Sequence, residues 1–145
     1  MIIITLKRQK DIKYDKMSIF NSLFGSSEEK KEKTSKINWI PLTNVDQLNE
    51  IVALSNEKPV AIFKHSTRCS ISRFALKQFE NEFVLEEKVD TYFLDLIEHR
   101  DVSNDIASRF QVVHQSPQLL LIKNGKSVYD VSHSDIDAKN LEDRL

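Results

Sequence analysis

The chain has 145 residues, with 21 basic and 22 acidic side chains and a formal charge of −1. This length suits one domain with a substantial core, and the balanced charge argues against nucleic acid or an acidic membrane surface as a partner. A single cysteine excludes an intramolecular disulfide, so the composition favours a reducing compartment over a secreted disulfide-bonded fold.

The chain start carries no recognisable targeting signal. Residues 1–6 are apolar, but Lys7 and Arg8 follow at once. A signal peptide needs about 7–15 apolar residues after a basic stretch, and a membrane span needs about 20. We therefore expect a cytoplasmic protein that does not enter a membrane, and we expect a monomer.

Composition divides the chain near residue 36. Apolar residues recur at helical spacing in 19–24, which predicts a short amphipathic segment, and residues 26–36 contain no apolar side chain. We predict an N-terminal extension with a charged, partly flexible linker at 1–36, and one folded domain at 37–145.

Regular elements are predicted throughout the second part. In chain order, the patterns predict an edge strand at 39–42, a helix at 45–54, a buried strand at 60–64, a helix at 69–83, a strand at 89–94, a helix at 102–110, hairpin strands at 118–123 and 127–131, and a helix at 134–145. Expected helix caps are Thr43 or Asn44, Ser103 and Ser134, and Asn124-Gly125 is a strong hairpin signal. This order predicts an α/β fold that resembles the thioredoxin architecture, with a central mixed sheet flanked by helices.

Cys69 is the candidate nucleophile. It lies between a buried strand and a helix and is surrounded by polar residues, a setting unlike that of a buried structural cysteine. Thiolates attack disulfides, yet an unperturbed cysteine is mostly protonated at neutral pH. A helix dipole supplies only about 0.3–1 kcal/mol, so we expect direct help from the Ile71 and Ser72 N–H groups, the Ser72 hydroxyl and the Arg68 cation.

A second motif precedes the hairpin, at residues 113–118, where Pro117 leads into a strand. His114 in this motif and His65 before Cys69 are candidate proton donors or hydrogen-bond partners near the sulfur. The four histidines and one cysteine lack the spacing of metal ligands, so no metal site is expected.

The runs Phe63-Lys64-His65-Ser66-Thr67-Arg68-Cys69-Ser70-Ile71-Ser72 and His114-Gln115-Ser116-Pro117-Gln118 resemble the monothiol bacilliredoxins of the YtxJ type, a thioredoxin-like family. The resemblance covers about residues 37–145. Ser70 departs from it, because many members carry proline there, and proline would remove one N–H and stiffen the first helical turn.

The resemblance implies thiol exchange with bacillithiol as co-substrate and no bound cofactor. Cys69 would remove the small thiol from S-thiolated proteins, which would be its partners. It also implies a cis Ser116-Pro117 bond beside the sulfur, with the preceding backbone free to pair with an extended substrate. Substrate-binding roles are expected for Thr67, Ser116, Pro117, His65 and His114.

Two other functions remain open from the residues. A monothiol glutaredoxin-like carrier could share an iron–sulfur cluster through Cys69, although that family has glycine and phenylalanine where Ser70 and Ile71 stand. A thioredoxin-like binding module with an inert thiol is the second. Because Ser72 stands where a second cysteine could have been, an enzyme that forms a mixed disulfide on Cys69 requires a thiol from outside the chain to resolve it.

Overall fold

The computed structural model describes residues 37–145, so the predictions for residues 1–36 lie outside the described part of the chain. This part of the chain contains five strands, at Ile40–Pro41 (β1), Val60–His65 (β2), Asp90–Asp95 (β3), Gln118–Lys123 (β4) and Lys126–Ser132 (β5). Four helices accompany them, at Asp46–Leu54 (α1), Ser70–Glu82 (α2), Arg100–Phe110 (α3) and Lys139–Glu142 (α4), with a 3₁₀ turn at His133–Asp135.

The strands form one mixed sheet in the order β1-β3-β2-β4-β5. β1 and β2 both run parallel to β3, whereas β4 runs antiparallel to β2 and to β5. All six residues of the central strand β2 are buried, as expected for its apolar residues 60–63 in a strand covered on both faces. The predicted mixed sheet with flanking helices is confirmed.

Alternation along β2 divides the interior into two cores, one on each face of the sheet. Ala61 and Phe63 face a core that contains Phe79 of α2. Val60 and Ile62 face a second core formed with α1 and α3. Because β2 and β3 are parallel and β4 is antiparallel to β2, the carboxyl ends of β2 and β3 and the amino end of β4 lie together at one edge of the sheet.

The predicted hairpin is confirmed in its position and in its turn. Asn124 and Gly125 both have positive φ, at 51° and 73°, the conformation that a two-residue primed turn requires. Ser55, at the end of α1, holds this turn, since its carbonyl accepts the Asn124 N–H at 2.9 Å and its hydroxyl accepts the Gly125 N–H at 2.8 Å.

The predicted start of the third helix is wrong by two residues, and Ser103 is not its cap. α3 begins at Arg100, and the Ser103 N–H already donates to the His99 carbonyl at 3.1 Å. Ser103 is instead a buried residue one turn into the helix. Serine favours helix starts only where its hydroxyl can reach a free N–H, and here the hydroxyl faces another part of the protein.

The last predicted helix is also wrong in extent. Residues 133–135 form a 3₁₀ turn, Ile136 is extended, and α4 contains only four residues, so Ser134 caps no long helix. Ile136, Ala138 and Leu141 are all buried. Residues 136 and 138 would lie on opposite sides of a helix, so a single helix could not bury both against the same core. Asp137 accepts the Lys139 N–H at 2.9 Å and so closes a local turn before α4.

The first helix begins one residue later than expected, after a reciprocal pair of side-chain hydrogen bonds. Asn44 Oδ1 accepts the Gln47 N–H at 3.1 Å, and Gln47 Oε1 accepts the Thr43 and Asn44 N–H groups at 2.8 and 3.2 Å. This arrangement satisfies N–H groups that a helix start leaves without partners.

Candidate active site

Cys69 lies at the junction that the sequence predicted. It is a free, partly exposed cysteine with an extended backbone (φ −107°, ψ 122°), and it immediately precedes α2. Its N–H donates to the Ser66 carbonyl at 3.2 Å, and its carbonyl accepts the Arg73 N–H at 3.1 Å. The thiol therefore sits at a helix N-terminus, beside the N–H groups of the first helical turn.

Polar and apolar side chains surround this position. Thr67 and Arg68 are exposed in the loop between β2 and the sulfur. Ile71 and Phe74 expose 58% and 72% of their surfaces on the first turns of α2. They line a groove of about 310 Å³ together with His133, Ser134 and Ile136. Exposed apolar side chains of this kind, beside the Cys69 turn, are typical of surfaces that contact other proteins.

Ser72 is fully buried and bonds to the end of β2. Its Oγ accepts the Ser66 N–H at 2.9 Å and lies 2.8 Å from His65 Nδ1. No hydrogen bond to Cys69 Sγ is formed by any group within residues 37–145. The stabilising roles of Ser72, Arg68 and Ile71 toward the thiolate therefore stay predictions, and the Ser72 hydroxyl has a direct structural role that the sequence did not indicate.

His65 is the buried partner of Ser72. Its ring packs against Phe63 and Phe93, with ring centres 6.5 and 5.4 Å away. Burial lowers the pKa of His65, and the nearby Asp95 carboxylate opposes that effect. At neutral pH a histidine with a lowered pKa is largely neutral, so His65 braces the strand-to-helix junction as an uncharged ring.

The Ser116-Pro117 junction reaches the same edge of the sheet. The Ser116-Pro117 bond is cis, as the resemblance implied. Lys64 pairs with Gln118 across β2 and β4, so Pro117 lies next to the end of β2 from which the Cys69 loop departs. The Pro117 carbonyl accepts the His133 N–H at 3.0 Å, and the Ser116 Oγ is buried without a partner among the described residues.

His114 belongs to a network on the opposite face of the sheet from His65. Lys64 Nζ lies 2.7 Å from His114 Nδ1 and 3.3 Å from Gln118 Oε1, and Ser103 Oγ lies 3.3 Å from the same Nδ1. The two predicted histidines thus serve separate networks. His114 is exposed overall, and partial desolvation of its ring lowers its pKa, which the charges of Lys64 and Arg100 lower further.

Lys64 is the site residue that sequence reasoning missed. Its side chain is fully buried, and that burial lowers its pKa to about 8. Gln118, also buried, completes the network by donating to the Val113 carbonyl at 3.0 Å and accepting the Gln115 N–H at 3.3 Å. The available signal was a lysine inside a strand predicted to be buried on both faces, since buried lysines nearly always have partners.

Other site types find little support in the described residues. Within residues 37–145, no group of three or more histidine, cysteine, aspartate or glutamate side chains could hold a metal ion. None of the helices in that same part of the chain is long and apolar enough to cross a bilayer.

Solved structures with a similar fold were found. A protein described as an oxidoreductase with a thioredoxin fold is 35% identical, with a TM-score of 0.62, over 72% of this chain and 90% of that one. Thioredoxin from Malassezia sympodialis matches at 19% identity and a TM-score of 0.59, over 76% and 90% of the two chains. Oxidised mitochondrial thioredoxin 3 from Saccharomyces cerevisiae matches at 18% and 0.55, over 74% and 92%. The predicted thioredoxin-like fold is confirmed, and these two thioredoxins support the fold alone.

A family model described as monothiol bacilliredoxin BrxC matches residues 40–141. This range contains the buried strand, the Cys69 turn and the Pro117 junction. Together with the similar structure described as a thioredoxin-fold oxidoreductase, it supports a thiol redox role for this chain. The resemblance noted in the sequence is confirmed: the chain belongs to the monothiol bacilliredoxin family.

Proposed function

We propose that this protein is a monothiol thiol–disulfide oxidoreductase that removes a low-molecular-weight thiol, bacillithiol, from mixed disulfides on other proteins. The observation that carries the proposal is the contrast between two side chains on one helical turn. Cys69 is free and partly exposed, whereas Ser72 is buried and bonded to His65 and Ser66. One sulfur is available, and the position that could have resolved its adduct holds no thiol.

The first step is capture of the small thiol. The Cys69 thiolate attacks the small-thiol sulfur of the mixed disulfide, an S–S bond forms to Cys69, and the protein sulfur leaves as a thiolate that takes a proton from water. We expect the first-turn N–H groups of α2 and the Arg68 cation to stabilise the attacking anion. The apolar wall of Ile71 and Phe74 offers a contact surface for the modified protein.

The second step regenerates the enzyme. A second small thiol, as thiolate, attacks the small-thiol sulfur of the adduct. The S–S bond to Cys69 breaks, the Cys69 thiolate is the leaving group, and the disulfide of the small thiol is released. The electrons for the cycle therefore come from the small-thiol pool outside the chain. Ser72 cannot supply them, because a hydroxyl does not exchange with a disulfide.

Intact mass spectrometry tests this function directly. The reduced protein is incubated with oxidised bacillithiol and, separately, with glutathione disulfide. We expect one adduct per chain on Cys69, faster formation with bacillithiol, and loss of the adduct on addition of the reduced thiol. Cys69→Ser is the matched control and should form no adduct.

De-thiolation of a protein substrate completes the test. We expect the wild-type protein to release bacillithiol from a modified protein and Cys69→Ser to be inactive. Absence of any adduct on the wild-type chain, or wild-type activity in Cys69→Ser, would overturn the proposal. Absorbance from 320 to 420 nm in anaerobically purified protein would instead favour an iron–sulfur carrier.

A further inference from the structure

The network around His114 engages Nδ1 and leaves Nε2 without a hydrogen-bond partner among residues 37–145. At neutral pH the Lys64 side chain, whose pKa is about 8, is mostly an ammonium group, which can only donate hydrogen bonds. It lies 2.7 Å from His114 Nδ1, so Nδ1 is the acceptor. A neutral imidazole that accepts at Nδ1 carries its proton on Nε2. Lys64 therefore fixes the Nε2–H tautomer of His114.

The Nε2–H group belongs to an exposed residue. His114 is exposed, and its Nε2 has no hydrogen-bond partner among residues 37–145. The contact between Lys64 Nζ and His114 Nδ1 orients the ring, so the Nε2–H donor is positioned before a ligand binds. Pre-positioned donors lose little conformational freedom on binding, which favours affinity.

A second cation accompanies this donor. Arg100 lies three residues before Ser103 on α3, hence on the same helix face, and Ser103 Oγ is 3.3 Å from His114 Nδ1. Arg100 is exposed. The charged groups that lower the pKa of His114 are Lys64 and Arg100, both positive, and no carboxylate within residues 37–145 is found to raise it. These two cations favour an anion beside His114.

This surface lies at the edge of the sheet that carries Cys69. Cys69 follows the carboxyl end of β2, Arg100 follows the carboxyl end of the parallel strand β3, and His114 precedes the amino end of the antiparallel strand β4. Three chain segments thus converge at one edge. A small thiol held on Cys69 would extend over the neighbouring segments.

We propose that His114 and Arg100 form a carboxylate-binding subsite for the small-thiol part of the mixed disulfide, and that the buried Lys64 is the positioning residue that orients His114. The subsite would hold a carboxylate of the small thiol by the His114 Nε2–H and the Arg100 guanidinium. It would select anionic small thiols over neutral ones of similar size. The inference rests on the proposed thiol exchange for its substrate.

The test compares two mixed disulfides on one single-cysteine carrier protein. One carries glutathione, which has carboxylates, and the other carries 2-mercaptoethanol, which is neutral. We expect Arg100→Gln and His114→Gln each to slow de-thiolation of the glutathione adduct by about fivefold or more and to leave the mercaptoethanol adduct within about twofold. Lys126→Gln removes the same charge from the exposed hairpin turn and should change neither rate.

The role of Lys64 is tested by nuclear magnetic resonance of the histidine ring nitrogens. In the wild-type protein at neutral pH, His114 should show a proton on Nε2 and a bare Nδ1, a result that needs no variant to fold. Lys64→Met should lose this fixed tautomer and reproduce the selective loss toward the glutathione adduct. A proton on Nδ1 in the wild-type protein, or equal slowing of both adducts in the variants, would overturn the inference.

One further measurement separates this inference from the proposed function. S-Methylglutathione cannot exchange, so its binding reports the subsite alone. We expect it to shift the His114 ring resonances in the wild-type protein and not in Arg100→Gln. If exchange fails and this shift occurs, the proposed function is wrong and the subsite stands; if the shift is absent, the subsite is wrong.

Discussion

Ser72 occupies the position, three residues after Cys69, at which a second thiol would have to stand to resolve a mixed disulfide within the chain. Its hydroxyl joins the Ser66 N–H and the His65 ring at the end of β2. The serine therefore does more than omit a thiol, because it ties the active-site turn to the central strand. Its identity at this position matters for the stability of the site as well as for the monothiol chemistry.

Removal of this hydroxyl should lower the stability of the fold, and should have little effect on the rate at which Cys69 captures the small thiol. In Ser72→Ala, the Ser66 N–H and the His65 Nδ1 lose their partner in a buried place, and we expect a loss of about 1–3 kcal/mol in the free energy of unfolding. Urea denaturation measures this loss, and Ser70→Ala, an exposed serine of the same turn, should change stability by less than about 0.5 kcal/mol.

Adduct formation on Cys69 in Ser72→Ala decides between two roles for the hydroxyl. We expect the rate of capture to remain within about threefold of wild type, corresponding to less than 1 kcal/mol. A stable Ser72→Ala protein with a much slower capture would show that the hydroxyl acts on the sulfur itself, as the sequence analysis expected.

Ser116 presents the opposite case, a buried hydroxyl without a partner among the described residues. An unpaired buried hydroxyl costs free energy, so Ser116→Ala should raise the free energy of unfolding by about 1 kcal/mol. If the hydroxyl meets substrate, the same variant should slow de-thiolation. A drop in stability measured by thermal or urea unfolding would contradict this expectation, because it would reveal a bond that the free protein uses.

At the scale of elements, the active-site edge depends on the strands and turns that hold it. Apolar runs and turn residues predicted the central strand, the Cys69 helix and the Asn124-Gly125 hairpin, because each signal is local in sequence. The predicted helix at 134–145 failed because burial of Ile136 and Ala138, two residues apart, is set by packing against distant strands. Local periodicity does not contain that information.

In the candidate site, too, the sequence predicted the local features and not the contacts between distant residues. Cys69 and the Pro117 junction follow from local patterns, since a thiol at a strand-to-helix turn and a proline before a strand are both visible in sequence. The Lys64–His114 contact joins residues 50 positions apart. The Ser72–His65 bond depends on the angle at which α2 leaves β2. Both contacts are products of the tertiary fold, and no spacing in the sequence predicted them.

The hairpin turn offers a test of element-level stability far from the site. Gly125 has φ of 73°, and a Cβ at this position would lie 3.2 Å from Val52 Cγ1. Gly125→Ala should therefore lower the free energy of unfolding by about 1 kcal/mol or more. Asn124→Gly relieves a positive φ and should be neutral or stabilising, and Gly125→Ala should leave the rate of Cys69 capture unchanged. A stabilised Gly125→Ala protein would contradict this account of the turn.

At the scale of the whole molecule, the buried lysine links the active-site edge to the pH dependence of folding. Lys64 is fully enclosed, and its pKa is about 8 in the folded protein against about 10.4 in an unfolded chain. Below pH 8 the protein bears the cost of a buried charge, offset in part by the bonds to His114 and Gln118. Between pH 8 and 10.4 the folded state binds fewer protons than the unfolded state, so this group makes stability rise with pH.

Lys64→Met isolates this contribution because other alkaline effects are common to both proteins. At pH 7 we expect the variant to be at least as stable as wild type, since replacing a buried charge by an apolar side chain of similar length is often neutral or stabilising. From pH 7 to pH 10, the stability of wild type relative to the variant should increase by about 2 kcal/mol. Urea unfolding at both pH values measures the difference. A relative stability that does not change with pH would show that Lys64 keeps an ordinary pKa in the folded protein, and that its burial has no pH-dependent cost.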